Sequence, residues 1–466
     1  LSGYREPAVR ILFLASEVAP FSKTGGLADV AGALPRALAG LGNHVLVCTP
    51  RYRGVEPPRA RAGHRVQFQF IEHPEYFDRP GLYGENGRDY EDNDVRFAFF
   101  ARASLEAARD RAFDPEIIHL NDWQAALAAF IARRELPFPN ARVVFTIHNL
   151  VYQGVFPRQT LARVGIPKDA FDYRALEFHG KVSYMKAGLV FADAITTVSP
   201  GYACEIQTPE FGAGLDGVLR ERAARGELYG IVNGADYEEW SPQRDRYLRS
   251  HYSSKNLAGK ARNKRSLQRR LGLEERPDLP VLGVVSRLDF QKGIDLVADI
   301  TGELVAADAQ VAILATGEPA LERRLVELSL LHHSRFSAII DFNYELAHLI
   351  QAGSDILLMP SRWEPCGLNQ MYALRYGTVP VVAAVGGLDD TVEEGVTGFK
   401  FVQHRDVEGS RAALLRAIRS AVGFYRADRA GWRKMMRRGM AKDFSWSASA
   451  KEYVRVFESP RAGAGL

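Results

Sequence analysis

The sequence predicts an α/β protein with two doubly wound parallel sheets, one in each half of the chain. Three observations carry that expectation. The 466 residues exceed what one hydrophobic core usually supports, so two domains are expected. From Arg10 onward, short β-rich apolar runs alternate with helical stretches. The same alternation returns after residue 280, and alternating β and α segments specify a parallel sheet covered by helices.

In the first half, residues 10–15, 44–48, 116–120, 142–147 and 194–198 read as buried parallel strands, because each run is continuously apolar. Residues 125–134 read as one of the helices between them. In the second half the strands are 281–285, 311–315, 337–340, 355–359 and 379–383, with helices at about 293–307, 318–331, 345–352 and 367–376. The domain boundary is expected within 240–280. Domains of 8–242 and 243–445 follow, with 446–466 as a C-terminal helical segment. Ten Lys or Arg residues against the single acid Asp245 mark 244–270. Without the interleaved aromatics of an RNA-binding module, this run reads as a solvated helical face beside the interdomain hinge, not as a nucleic-acid site.

Composition narrows the class further. Sixty basic residues face 56 acidic ones, a net charge of +4, too balanced to imply nucleic acid. Three widely separated cysteines, Cys48, Cys204 and Cys366, fit a reducing compartment and no disulfide framework. No apolar run reaches the ~18 residues of a membrane span, and the opening Leu1-Ser-Gly-Tyr-Arg-Glu-Pro7 carries no apolar signal core. A cytoplasmic location is expected, or a plastid if the source is a plant or alga. Nothing in the sequence specifies an oligomeric state.

Chemistry concentrates where strands end, which is where doubly wound sheets bind ligands. Arg287 and Lys292 follow one strand, and Glu364 lies in Pro360-Ser-Arg-Trp-Glu-Pro-Cys-Gly-Leu368 after another. Two fixed cations suit a diphosphate leaving group. A carboxylate before a helix N-terminus suits sugar hydroxyls. Together they suggest transfer of a sugar from a nucleotide diphosphate. Lys23-Thr-Gly-Gly-Leu-Ala-Asp-Val30 follows the first strand, and its glycines are expected to expose N–H donors to a ligand. It is neither a G-x-G-x-x-G nor a Walker sequence, which disfavours a dinucleotide-binding dehydrogenase. His148 and Asn149 end the strand 142–147; Asp122 either holds a hydroxyl or caps the helix after it. Asp92-Asn-Asp94 has the D-x-D form of a metal-diphosphate motif, but reads as a surface loop before a strand at 95–100.

These residues resemble bacterial glycogen synthase and plant starch synthase, the GT5 family of retaining glucosyltransferases. The resemblance runs from Ile11 to about Tyr453, and its most specific parts are Lys23–Asp29, His148-Asn149, Ser286-Arg-Leu-Asp-Phe-Gln-Lys-Gly293, Glu364–Leu368 and Gly386-Gly-Leu-Asp-Asp-Thr391. It implies a GT-B fold, two Rossmann-like domains facing each other across a deep cleft, with the C-terminal helix crossing back to the first. It also implies glucose transfer from ADP-glucose to the non-reducing 4-hydroxyl of an α-1,4-glucan, without a metal or other cofactor.

In the family, residues matched by Lys23 and Gly26 contact the donor phosphates, and those matched by Arg287 and Lys292 stabilise the departing diphosphate. Residues matched by His148, Asn233 and Glu364 surround the glucose. Cys366, Gly367, Leu368 and Thr391 fall in the same donor pocket, and Phe342 matches an aromatic against the nucleobase. Asp122 and Asp29 match acids on the acceptor side, Asp122 being counted with the catalytic group as well, and Asn149 and Tyr152 stand on the same side. Two positions depart from common patterns: Tyr372 stands eight residues after Glu364, where many retaining GT-B enzymes have a second glutamate, and Gln124 replaces a frequent histidine. The alternatives are a related transferase using UDP-glucose or another acceptor, and a non-catalytic glucan-binding homologue.

Overall fold

The computed structural model describes residues 8–58, 64–135 and 138–460. The chain divides into two compact units: one runs to Gly234 and resumes at Trp446, and the other is Ala235–Ser445. Two large sheets, one in each unit, carry the fold, and two short antiparallel sheets accompany them. The first unit holds β1 (Arg10–Leu14), β2 (His44–Pro50), β3 (Val66–Ile71), β4 (Ile117–Asn121), β5 (Arg142–Ile147), β6 (Ala194–Thr197) and β7 (Leu228–Gly230). Their order is β7-β6-β5-β4-β1-β2-β3, with every neighbouring pair parallel. The second unit holds β8 (Val281–Leu288), β9 (Gln310–Gly317), β10 (Phe336–Ile340), β11 (Ile356–Met359), β12 (Val379–Ala383) and β13 (Phe399–Phe401), in the order β10-β9-β8-β11-β12-β13, again all parallel. Both units therefore have the Rossmann-like order, which reverses beside β1 in one and beside β8 in the other. Each has one topological switch point.

Burial explains the strands. Ile11, Leu12, Phe13 and Leu14 are fully enclosed, as expected of a parallel strand covered on both faces. The helix Gly26–Gly40 places Leu27, Val30, Ala31, Leu34 and Leu38 at three- and four-residue spacing against that sheet. The C-terminal helix Trp446–Glu458 belongs to the same core through Trp446, Ala450, Tyr453, Val456 and Phe457. Each large apolar side chain buried this way contributes roughly 1.5–3 kcal/mol.

Three local expectations change. The first unit ends at Gly234, not at 242, because the segment after it is tied to the second unit. Ala235 N–H donates to Phe444 O at 2.6 Å, and Trp240 stacks on His348 at 3.7 Å and on Tyr372 at 4.1 Å. Residues 95–100 are not a strand but part of the helix Asn93–Asp110, which buries Phe97, Phe100, Ala101, Ser104, Leu105 and Ala108. The six residues Val95-Arg-Phe-Ala-Phe-Phe100 are too few to separate the two periods, and only the longer window shows the helix. Asp92-Asn-Asp94 is not a surface loop: Asp92 makes two bonds to Arg79 (2.7 and 2.6 Å), and Asp94, 1% exposed, accepts from Thr160 Oγ1 at 2.7 Å and Arg163 at 2.9 Å.

The basic stretch is also only partly solvated. On the helix Ala258–Arg270, Lys260 and Lys264 are buried. Lys260 Nζ donates to Ala352 O at 3.0 Å and Thr378 Oγ1 at 2.6 Å, and Lys264 pairs with Asp355 at 2.7 Å. Asp245 is enclosed 2.7 Å from His348 Nδ1. Among the described residues no helix is long and apolar enough to cross a membrane.

Candidate active site

At the switch point of the second unit, the loop after β8 lies against the loop after β11. Gly293 has φ +66°, and a Cβ there would sit 2.2 Å from Pro360 O, so only glycine permits the approach. Gln291 Nε2 donates to Trp363 O at 3.1 Å, and Arg362 N–H donates to Gln291 O at 2.8 Å. Arg362 also holds Asp295 through two bonds, 2.9 and 2.6 Å. This lacing puts Lys292 Nζ 2.6 Å from Glu364 Oε2, with Ser361 Oγ donating to the same oxygen at 3.1 Å. Glu364 is 5% exposed, so the pair sits in a poorly hydrated site where its mutual attraction is strong.

Arg287 stands apart from that pair. Its side chain is 64% exposed and, among the described residues, forms an ion pair only with Asp289, at 3.2 Å. Asp289 in turn accepts from Lys292 N–H at 3.1 Å. Gly387 N–H donates to Glu364 O at 3.0 Å, and a Cβ at Gly387 would lie 2.3 Å from Cys366 O. Cys366 is buried, Gly367 has φ +72°, and Leu368 precedes the helix Asn369–Tyr376. Thr391 Oγ1 donates to Gly387 O at 2.6 Å and accepts from Gln370 Nε2 at 3.1 Å, so its hydroxyl proton is committed to the loop. Phe342, 81% exposed, follows β10. Tyr372, eight residues after Glu364, lays its ring flat on Trp240.

The first unit's switch point is built differently. Asp122 opens the helix Asp122–Arg134 with φ +54°, and accepts from the backbone N–H groups of His148 (2.7 Å) and Asn149. Burial raises its pKa to about 7, against the pull of those two donors. His148 Nε2 lies 3.0 Å from Asn121 Oδ1, and burial lowers its pKa to about 3, leaving a neutral imidazole at neutral pH. Asn121 Nδ2 donates to Leu14 O at 2.9 Å, joining β4 to β1. Asn149 Oδ1 accepts from Val151 N–H at 3.2 Å, and Tyr152 is exposed. Asn233 is buried, and its Oδ1 has no hydrogen-bond partner among the described residues, an acceptor without a donor.

One expectation about the Lys23–Gly26 turn fails at Gly25. The N–H groups of Thr24 and Gly25 are not free donors; both point at the carboxylate of Glu17 (3.4 Å from Gly25), which also accepts from Thr24 Oγ1 at 3.0 and 3.1 Å. Glu17 is buried and its pKa is raised by that burial. The sequence reading missed it. Its signal was an acid in the otherwise apolar run that continues β1. Lys23 and Asp29 come together as an ion pair of 2.6 Å at the protein surface, and Gly26 begins the helix that carries Asp29. Among the described residues, no group of three or more His, Cys, Asp or Glu side chains is arranged to hold a metal ion.

The family described as starch synthase catalytic domain matches residues 10–221, and glycosyl transferases group 1 matches 268–431. A glycogen synthase of Anaeromyxobacter sp. (strain Fw109-5) is 51% identical, covering 97% of this chain and 99% of the relative. One from Koribacter versatilis (strain Ellin345) is 46% identical over 97% and 98%. Among solved structures, the catalytic domain of starch synthase IV from Arabidopsis thaliana, bound to ADP and acarbose, superposes with a TM-score of 0.87 at 29% identity, covering 97% of this chain and 99% of that one. A sucrose-phosphate synthase from Thermosynechococcus elongatus, at 20% identity and a TM-score of 0.62, shares the fold.

Proposed function

The chain belongs to the glycogen and starch synthase family of glycosyltransferases, and from that premise we propose that it transfers glucose from ADP-glucose to the 4-hydroxyl at the non-reducing end of an α-1,4-glucan, with retention. The observation that carries this reading is the Lys292–Glu364 pair, held at 2.6 Å by loops that meet at a topological switch point. Breaking the anomeric bond builds negative charge on the diphosphate and positive charge on the sugar ring. Lys292, with the exposed Arg287 five residues before it, opposes the first charge. A preorganised donor aimed at developing charge contributes roughly 2.7–4 kcal/mol.

Glu364 is assigned to the glucose hydroxyls, not to attack on the anomeric carbon, because its Oε2 is already engaged by Lys292 and Ser361. Retention then follows from same-face attack by the glucan hydroxyl, whose proton passes to the leaving phosphate. Neutral His148 accepts or donates hydrogen bonds to sugar hydroxyls without adding charge, and the open Oδ1 of Asn233 awaits a donor of the same kind. Lys23 is proposed as a further cation for the donor phosphates, with Asp29, Asp122, Asn149 and Tyr152 on the acceptor side and Phe342 against the base.

No metal is required in this reading. Three cations, Lys23, Arg287 and Lys292, are assigned to the diphosphate, and Asp92 and Asp94 are committed to Arg79, Thr160 and Arg163. A cytoplasmic location belongs to the same proposal. Nucleotide release from ADP-glucose and UDP-glucose, each with and without glycogen, tests it. Glycogen-dependent release with ADP-glucose preferred in kcat/KM is expected; a UDP-glucose preference removes the donor assignment, and no glycogen-dependent release with either removes the transferase.

A further inference from the structure

The loop from Glu364 to Leu368 runs into the helix Asn369–Tyr376, and one side chain of that helix reaches back to the loop. Gln370 is fully buried. Its Nε2 donates to Cys366 O at 3.0 Å, Gly367 O at 3.1 Å and Thr391 Oγ1 at 3.1 Å. All three are acceptors, because the Thr391 hydroxyl has given its proton to Gly387 O, so the amide nitrogen and not the oxygen faces the loop. Gln370 Oε1 is buried and has no hydrogen-bond partner among the described residues.

Two consecutive carbonyls held from one side fix what the other side presents. In a planar trans peptide the N–H points opposite to the preceding C=O. With the carbonyls of Cys366 and Gly367 drawn to Gln370, the N–H groups of Gly367 and Leu368 face away from it. Both residues are half-buried, and among the described residues neither N–H donates to a protein acceptor. Gly367 makes the turn at φ +72°, and a Cβ on it would lie 2.6 Å from Gln370 Oε1, so the amide closes against a glycine. Satisfying buried carbonyls is an ordinary task for a glutamine. Here the same amide leaves its own oxygen without a donor, a cost that the burial of two carbonyls does not by itself call for.

We propose that Gln370 is a positioning residue for the sugar donor. Being enclosed, it touches no substrate; it holds the Cys366–Leu368 backbone so that the Gly367 and Leu368 N–H groups meet the oxygens of the glucosyl diphosphate. The clamp is tied to the carboxylate end of the same loop, since Gly387 N–H donates to Glu364 O at 3.0 Å while Gly387 O takes the Thr391 proton. This role rests on the ADP-glucose reading above.

Isothermal titration of the full chain with ADP-glucose, without glucan, and separately with adenosine tests it, in Gln370→Met and Gln370→Leu beside the unmodified chain. Both substitutions keep an apolar body of similar size and remove the amide donors, and melting temperatures show whether each variant folds. ADP-glucose should bind roughly tenfold or more weakly in a folded variant. Adenosine, which has the base and ribose alone, should bind as it does to the unmodified chain. Equal loss for both ligands, or full ADP-glucose affinity in a folded variant, would reduce Gln370 to a packing residue and overturn the proposal while leaving the donor assignment in place. If neither variant folds, Gln370 serves the fold and the proposal falls. An unmodified chain that binds ADP-glucose no better than adenosine would remove the donor reading and this role with it.

Discussion

The two units share a strand order and a switch point, yet furnish them with opposite chemistry. At the second unit's switch point the polar groups are ions in contact, Lys292 with Glu364 and Arg362 with Asp295. At the first unit's they are groups that burial drives toward neutrality: His148 with a pKa near 3, Asp122 with one near 7, and Glu17 raised in the same sense. One fold thus presents a charged site and a largely neutral, hydrogen-bonding one. The difference fits a division of labour in which the second unit manages the charge of a departing diphosphate and the first orients uncharged hydroxyls.

The sharpest way to break the contrast is Glu364→Ala. Removing one partner of a buried pair leaves Lys292 without its carboxylate, at a cost of about 3 kcal/mol in stability, and glucose loses its orientation as well. Thermal unfolding together with kcat checks this; an unchanged melting temperature would mean the pair is not enclosed as described. Gly293→Ala comes next. The substituent would meet Pro360 O at a positive φ, so a loss of about 1–3 kcal/mol is expected, with a fall in activity as the Lys292 loop moves off the Glu364 loop.

The pH dependence sharpens the first unit's side of the comparison. Asp122 has its folded pKa raised from 3.8 to about 7, so the folded state holds that proton more tightly than the unfolded chain. Its contribution is full below about pH 4 and is lost as pH rises through 7. His148 runs the other way: lowered from 6.5 to about 3, it is stabilising above 6.5 and loses that contribution as pH falls toward 3. Asp122→Asn should therefore gain melting temperature relative to the unmodified chain as pH is raised from about 4 to 7. A constant offset across that range would contradict the assigned pKa.

The smallest effect belongs to Asp92→Ala. It breaks a partly exposed ion pair with Arg79, expected to cost up to about 1 kcal/mol, with activity unchanged and insensitive to EDTA. Activity abolished by the chelator and restored by Mg²⁺ or Mn²⁺ would overturn the metal-independent reading.

The central strands were legible in the sequence because parallel strands buried on both faces read as continuous apolar runs: ten of the eleven expected runs overlap observed strands, and the eleventh, 95–100, is helical. The strands missed, Val66–Ile71, Leu228–Gly230 and Phe399–Phe401, are all edge strands, only partly buried and therefore patterned weakly. Site residues on the second unit stood out because opposite charges at strand ends are rare. What the sequence hid was pairing: that Glu17 takes the N–H groups of the Lys23 turn, that Lys23 meets Asp29, and that Trp240 draws the segment after Gly234 into the second unit. Each depends on a loop trajectory that no local period encodes.

The steady-state kinetics of Lys292→Ala test the central claim most directly. If Lys292 acts on charge that grows as the bond breaks, kcat and kcat/KM for ADP-glucose should fall together, by roughly 10²–10³-fold, with the chain still folded. A higher KM with kcat intact would show that the lysine only binds the donor, and the assignment of transition-state charge to the second unit would be wrong.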